Sequence, residues 1–267
     1  MNALAVESFK PDQLASWTHA LQANVALLES LERPSFDYLM TQYNPKHVLD
    51  IGTGDGSFLL KYARAYPEIL FTGIEQNPIF FKTFEDQLKP ADLIHITPEE
   101  HTFNHQGFGN HFHMALSRFT MGHLSDPLDF LKGVYKSLRP GGIYVSFDGA
   151  VSMSKGIARG FWKDFILCMG KVFKVWGSTE NYPMKAIPNL KKAGFTFEDQ
   201  ITRMIYLNSK TEDLFKNYIK TMLELFKWYC PEDVTDKKIN AILSGFANYQ
   251  TFDIPPYISI TQTIAKK

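Results

Sequence analysis

The segment Val48-Leu49-Asp50-Ile51-Gly52-Thr53-Gly54-Asp55-Gly56-Ser57-Phe58-Leu59-Leu60 constrains the fold more than any other part of the chain. A β-rich run ends at Asp50-Ile51, three glycines follow within five residues, and an apolar helical pattern starts at once. Glycine has no Cβ and reaches positive φ at little cost, so such a turn lets backbone approach a ligand closely. Nineteen residues after Gly56, a second β-type run, Leu70-Phe71-Thr72-Gly73-Ile74, ends on Glu75. An acid at the tip of the second strand is where doubly wound nucleotide-binding folds hold a ribose diol. Glycines alone would fit an ordinary tight turn. Strand, helix and downstream acid together point to a nucleotide-binding unit.

The spacing discriminates between nucleotide ligands. A dinucleotide fingerprint reads G-x-G-x-x-G/A and seats a pyrophosphate on the helix N-terminus. Here the order is G-x-G-x-G, preceded by Asp50 and interrupted by Asp55. Those acids would repel a pyrophosphate and suit a ligand with a cationic head. The stretch resembles the D-x-G-x-G-x-G signature of class I S-adenosylmethionine-dependent methyltransferases. A second resemblance to that family runs from the Phe112-His113-Met114-Ala115-Leu116-Ser117-Arg118-Phe119 strand to the Arg139-Pro140-Gly141-Gly142 turn. Together they cover roughly residues 46–150.

The resemblance implies a fold and a set of contacts. The fold is a Rossmann-like α/β domain with a doubly wound, seven-stranded, mostly parallel sheet whose last strand is antiparallel. One domain would span 1–267, with a helical cap at 1–45, a cofactor core at 46–150 and a helical insertion or lid at 208–252, between strands six and seven. The implied cofactor is S-adenosyl-L-methionine. Its contacts would come from Asp50, Gly52, Thr53, Gly54, Asp55 and Gly56, with Glu75 and Gln76 at the ribose. Thr97 and Pro98 would lie toward the adenine, where the family usually places an acid; Glu99 is an alternative partner. Ser117, Arg118 and Phe119 would form the boundary with the acceptor. His113 stands where the family has an acid after the strand-four aromatic residue.

Along the chain, Leu14, Trp17, Leu21, Val25, Leu28 and Leu31 recur at helical steps, and Arg33-Pro34 is expected to end that helix before a second one over 36–43. Further elements are expected as a strand at 92–96, helices at 58–66, 79–88 and 128–138, a strand at 143–147 and a long apolar helix at 156–176. A strand at 195–207, helical structure over 211–249 and a strand at 258–264 close the chain. Trp17, Tyr218, Met222 or Phe226 are the residues expected to reach an acceptor pocket from the cap and the insertion.

Composition excludes several functions. The 28 basic and 28 acidic residues cancel and form no basic stripe, so no nucleic-acid partner is expected. Cys168 and Cys230 have neither metal nor disulfide spacing, which fits a reducing, cytoplasmic setting. No signal peptide and no membrane span of about 18 apolar residues is evident. His101, His105, His111 and His113 lie close in sequence without paired-ligand spacing, so no metal site is expected. If the acceptor must lose a proton, His123 and His113 are the weak candidates for the base.

The sequence reading is therefore a methyltransferase acting on a small-molecule acceptor by in-line attack. Three alternatives stand beside it: a non-catalytic cofactor-binding partner subunit, a methyltransferase acting on a protein or nucleic acid, and a nicotinamide oxidoreductase. The loop spacing disfavours the last.

Overall fold

The computed structural model describes residues 10–149 and 158–267. Seven strands form one sheet: β1 (His47–Ile51), β2 (Leu70–Glu75), β3 (Ile96–Glu100), β4 (Phe112–Arg118), β5 (Leu138–Gly149), β6 (Thr196–Tyr206) and β7 (Tyr257–Lys266). Their order is β3-β2-β1-β4-β5-β7-β6. The first five run parallel, and β7 lies antiparallel between β5 and β6. Strand order reverses between β1 and β4, which creates the crevice in which open α/β sheets bind ligands. No helix among the described residues is long and apolar enough to cross a membrane.

Both faces of the sheet are covered, because its strands are apolar on both sides. On β5, Ile143, Val145 and Phe147 join one core layer while Tyr144 joins the other. The first layer is closed by α1 (Pro11–Tyr43), α2 (Ser57–Ala63), α3 (Pro78–Leu88), α5 (Gly160–Trp176), α7 (Glu212–Tyr229) and α8 (Asp236–Ser244). The second is closed by α4 (Pro127–Ser137) and α6 (Pro183–Ala193).

Four elements differ from the sequence expectation. The break at Arg33-Pro34 does not occur: α1 runs through Pro34. Proline removes one helical hydrogen bond and costs about 3 kcal/mol in a helix interior. Here Pro34 and Ser30, whose carbonyl loses its partner, are both exposed, so water can serve that oxygen. Beyond the proline, Phe36, Leu39 and Met40 are buried, each side chain contributing about 1.5–3 kcal/mol. Burial outweighs the proline.

Strand three begins four residues later than expected. A 3-10 turn at Lys89–Ala91 and a left-handed Asp92 (φ 50°) keep 92–95 outside the ladder, leaving Ile94 93% exposed. The long insertion is divided at the Pro231 segment into α7 and α8, followed by a 3-10 stretch, Gly245–Thr251. Helix α6 had no counterpart in the sequence reading. The expected start of the 156–176 helix lies outside the described residues; α5 is described from Gly160.

Candidate active site

A cavity of about 330 Å³ lies across the carboxyl ends of β1, β2, β4 and β5. Strand-tip residues Asp50, Glu75, Arg118 and Asp148 all line it. Three helices complete the wall with residues at helical spacing: Trp17, Leu21 and Asn24 of α1, Trp162, Phe165, Met169, Phe173 and Trp176 of α5, and Tyr218, Met222 and Leu225 of α7. Trp17 ties two of these helices together, stacking on Trp176 at 5.2 Å and donating its Nε1–H to the Tyr229 hydroxyl at 2.8 Å.

The glycine turn is held by the neighbouring strand. Gly52 and Thr53 donate their N–H groups to the Ile74 carbonyl at 2.8 and 3.0 Å, and Gly54 N–H donates to Glu75 Oε2 at 2.9 Å. Asn77 N–H donates to Glu75 Oε1 at 2.8 Å, so the carboxylate is fixed from both sides. All three glycines have positive φ: 77°, 61° and 80°. Their surroundings differ. A Cβ on Gly56 would stand 2.1 Å from the Phe84 ring, and one on Gly52 2.8 Å from Thr120 Oγ1. At Gly54 the nearest such neighbour is Leu21 Cδ1 at 3.7 Å, itself part of the cavity wall. Gly56 does not line the cavity; it makes room for α3.

The acids of the turn are nearly solvent-free. Burial pushes the Asp50 carboxyl up to about 6. Burial also raises Asp55 and Glu75, opposed by the hydrogen bonds each accepts. Asp55 accepts from Ser57 N–H at 3.0 Å and from Ser57 Oγ–H at 2.9 Å, so it fixes the start of α2 while bordering the cavity.

At the end of β4, Arg118 donates its Nε–H to Glu32 Oε1 at 2.8 Å and a terminal N–H to Asn24 Oδ1. Phe119 follows with φ 51°, a conformation unusual for a bulky residue, held by its N–H on the Phe147 carbonyl at 2.8 Å. His123 Nδ1 lies 2.7 Å from Ser178 Oγ, and burial pushes the ring down to about 4, so it is a neutral imidazole at neutral pH.

Of the expected site residues, the structure brings Asp50, Gly52, Thr53, Gly54, Asp55, Glu75, Gln76, Arg118, Phe119 and His123 to the cavity. Five lie elsewhere. Thr97 and Pro98 sit inside β3, paired with Thr72 and Gly73, because that strand starts late. Glu99 shares the displacement, and His101 and Phe103 form the wall on that side. Ser117 points to the other face of the sheet, its hydroxyl 2.6 Å from that of Tyr144. Gly56 packs on Phe84, as described. His113 lies at the amino end of β4, the opposite end of the strand from the cavity, and is corrected as a candidate base. Of the four expected pocket-wall residues, Trp17, Tyr218 and Met222 line the cavity, whereas Phe226 stacks behind it on Phe165.

Asp148 was missed in the sequence. It is the last residue but one of β5, is 4% exposed, and its Oδ2 has no hydrogen-bond partner. Burial pushes its carboxyl up to about 7. The Ser146-Phe147-Asp148-Gly149 run carries the same signal as the Glu75 tip: an acid where a strand ends. Among the described residues, no three His, Cys, Asp or Glu side chains come together as a metal site.

These features define an open α/β fold with a ligand crevice at the strand switch. The methyltransferase domain family matches residues 48–142, which include the glycine turn and the acid that follows it. Among solved structures, the fold is similar to a Galdieria sulphuraria protein assigned as a sarcosine dimethylglycine methyltransferase, at 15% identity and TM-score 0.57, covering 90% of this chain and 86% of that one. It is similar to a geranyl diphosphate methyltransferase in complex with GPP and sinefungin, at 11% identity and TM-score 0.52, covering 90% and 79%. A third is phosphoethanolamine N-methyltransferase 2 of Haemonchus contortus, in complex with phosphomonomethylethanolamine and S-adenosylhomocysteine, at 16% identity and TM-score 0.51, covering 88% and 52%. No curated protein matches the chain by sequence. Residues 48–142 are thus similar to the methyltransferase domain family, and the sheet order is that of the class I S-adenosylmethionine-dependent methyltransferase fold.

The residues present fit that cofactor. The Glu75 carboxylate accepts one backbone N–H on each oxygen and keeps lone pairs for further donors. Thr53 lines the cavity next to the turn, and Gly54 leaves space in front of it.

Proposed function

We propose that this chain, working as a single domain over 1–267, transfers a methyl group to a small-molecule acceptor. The observation that carries the reading is the cavity itself. It runs from the glycine turn into a chamber roofed by α1, α5 and α7, and its dimensions suit a metabolite. A protein or nucleic-acid acceptor would need an open groove and, for nucleic acid, a basic surface that a chain with balanced charge does not supply.

In this reading Glu75 holds the ribose hydroxyls, Gly54 admits the cofactor backbone closely, and Asp50 and Asp55 face its cationic methionine end. S-adenosylmethionine supplies a methyl group already activated on a sulfonium. The protein's task is then alignment and exclusion of water. Phe119, held in its unusual conformation, borders both ligands. The neutral His123 is placed to accept a proton but is only weakly basic.

The test is transfer of label from methyl-labelled S-adenosylmethionine into a whole-cell extract by the purified protein. Label in the small-molecule fraction is the expected result. Label confined to macromolecules, or none in the presence of tightly bound cofactor, would remove this reading.

A further inference from the structure

We propose that the acceptor is a small amine with an apolar body, and that Asp148 holds it and takes its proton; the inference rests on the methyltransferase reading above. The sheet order fixes where each acid stands. Glu75 is the last residue of β2, Asp50 the last but one of β1, and Asp148 the last but one of β5 on the far side of β4. At about 4.8 Å per strand, Glu75 and Asp148 are roughly 14 Å apart across the strand tips. With the ribose on β2 and the methionine end over β1, an acid on β5 falls beyond the reactive methyl, on the acceptor side.

The environment of Asp148 calls for a donor. A buried carboxylate oxygen without a hydrogen bond is costly, and such groups in native proteins usually mark a missing partner. Ser146 and the Met121 N–H donate toward the Asp148 carboxyl, and Oδ2 is the oxygen that keeps no partner, in a residue that lines the cavity. A ligand N–H would complete it.

The charge of the wall selects the ligand class. Asp50, Asp55, Glu75, Asp148 and Glu180 line the cavity, and no lysine does so among the described residues. The guanidinium of Arg118 is taken up by Glu32. An anionic acceptor would therefore meet carboxylates without an open counter-charge. A protonated amine meets carboxylates in a wall that also contains the aromatic rings of Trp162, Phe173 and Trp176.

The step balances. The ammonium proton passes to Asp148 Oδ2, the freed nitrogen lone pair bonds the methyl carbon, and the carbon–sulfur electron pair stays on sulfur. Burial supports the role, since a carboxyl raised to about 7 takes up a proton near neutral pH more readily than an ordinary one.

The experiment has two arms, both with the full chain. In the first, methyl label is transferred into a small-molecule extract and the products are separated by cation exchange. Retention of the labelled product as a cation is expected. Labelled neutral or anionic products would overturn the amine inference and leave the methyltransferase reading intact; no labelled small molecule would sink both. In the second, calorimetry on the complex with S-adenosylhomocysteine compares 2-phenylethylamine and tryptamine with 2-phenylethanol and phenylacetate. The amines should bind more tightly, and Asp148→Asn should weaken them at least tenfold with S-adenosylhomocysteine affinity unchanged. Equal binding of the alcohol or the acid, no binding of either amine, or amine affinity untouched in Asp148→Asn would overturn it.

Discussion

The Arg118 guanidinium donates to Glu32 Oε1 at 2.8 Å, joining the end of β4 to the middle of α1 through a pair almost without solvent exposure. Burial raises the Glu32 carboxyl, and Arg118 and the Tyr62 hydroxyl oppose that rise. Removing one member of such a pair leaves a buried charge, whereas replacing both by apolar groups often costs little. Arg118→Ala should lower stability by about 3–5 kcal/mol in urea unfolding. The double change Glu32→Leu with Arg118→Met should recover most of that loss; no recovery would mean that the pair acts through more than its charges.

Cofactor affinity should depend on Glu75 and on pH. Glu75→Ala should weaken cofactor binding by about 1.5–3 kcal/mol, with the circular dichroism of the sheet and helices retained. Because burial places Asp50 at about 6, its carboxylate is present above that pH and lost below it. The dissociation constant for S-adenosylmethionine should therefore rise as pH falls, by about tenfold per unit below 6 if one group dominates. Calorimetric titration between pH 5 and 8 measures both effects, and a flat profile would remove Asp50 from the cationic end.

Two glycines of one turn should respond differently. Gly54→Ala should weaken cofactor binding sharply while costing only the backbone strain of φ 61°, since its nearest neighbour is 3.7 Å away. Gly56→Ala should act on the fold, because its Cβ would overlap Phe84 at 2.1 Å on a backbone with φ 80°. A loss of about 2–4 kcal/mol is expected there. Comparable melting temperatures in the two variants would contradict this division.

Asp148→Asn should stabilise the ligand-free protein. The native carboxyl is raised to about 7 by burial, against about 4 for an unfolded chain. A raised carboxyl destabilises the fold when ionised, so the gain should be absent below about pH 4, grow between 4 and 7, and level off above. A few kcal/mol at pH 8 is the expected size. Urea titrations at pH 4 and 8 would expose a gain with the wrong pH dependence.

The roof should also respond to ligand. If α7 and the segment after it act as a lid, S-adenosylhomocysteine will increase amide protection across residues 211–249. Equal exchange with and without it, together with unchanged acceptor preference after the insertion is shortened, would rule out the lid.

Most of this arrangement was legible where short-range chemistry decides it. The three glycines, the acid nineteen residues on and the proline–glycine turn located the sheet and one wall of its cavity. The misreadings arose where tertiary burial overrode a local signal. Pro34 was expected to end a helix, yet packing of Phe36, Leu39 and Met40 carries α1 through it. Leu93-Ile94-His95-Ile96 has a strand's composition, but Asp92 turns left-handed and the ladder starts at Ile96, which moved Thr97 and Pro98 out of the crevice. His113 and Ser117 lie on the expected strand, and only its direction and pleat show which end and which face each occupies. Asp148 was overlooked because the strand was expected to stop one residue earlier.

The continuity of α1 has a mechanical consequence. Thirty-three residues at 1.5 Å each make a rod about 50 Å long. One end leans on Trp176 through Trp17, and the other is bedded on the second helix through Phe36, Phe58 and Tyr62. Such a rod transmits displacement, so a push at its amino end reaches the Arg118–Glu32 fastening near its centre. The missing hydrogen bond at Ser30 makes that centre its softest joint. The Arg118–Glu32 fastening therefore sits within two residues of that joint, where the rod bends most easily.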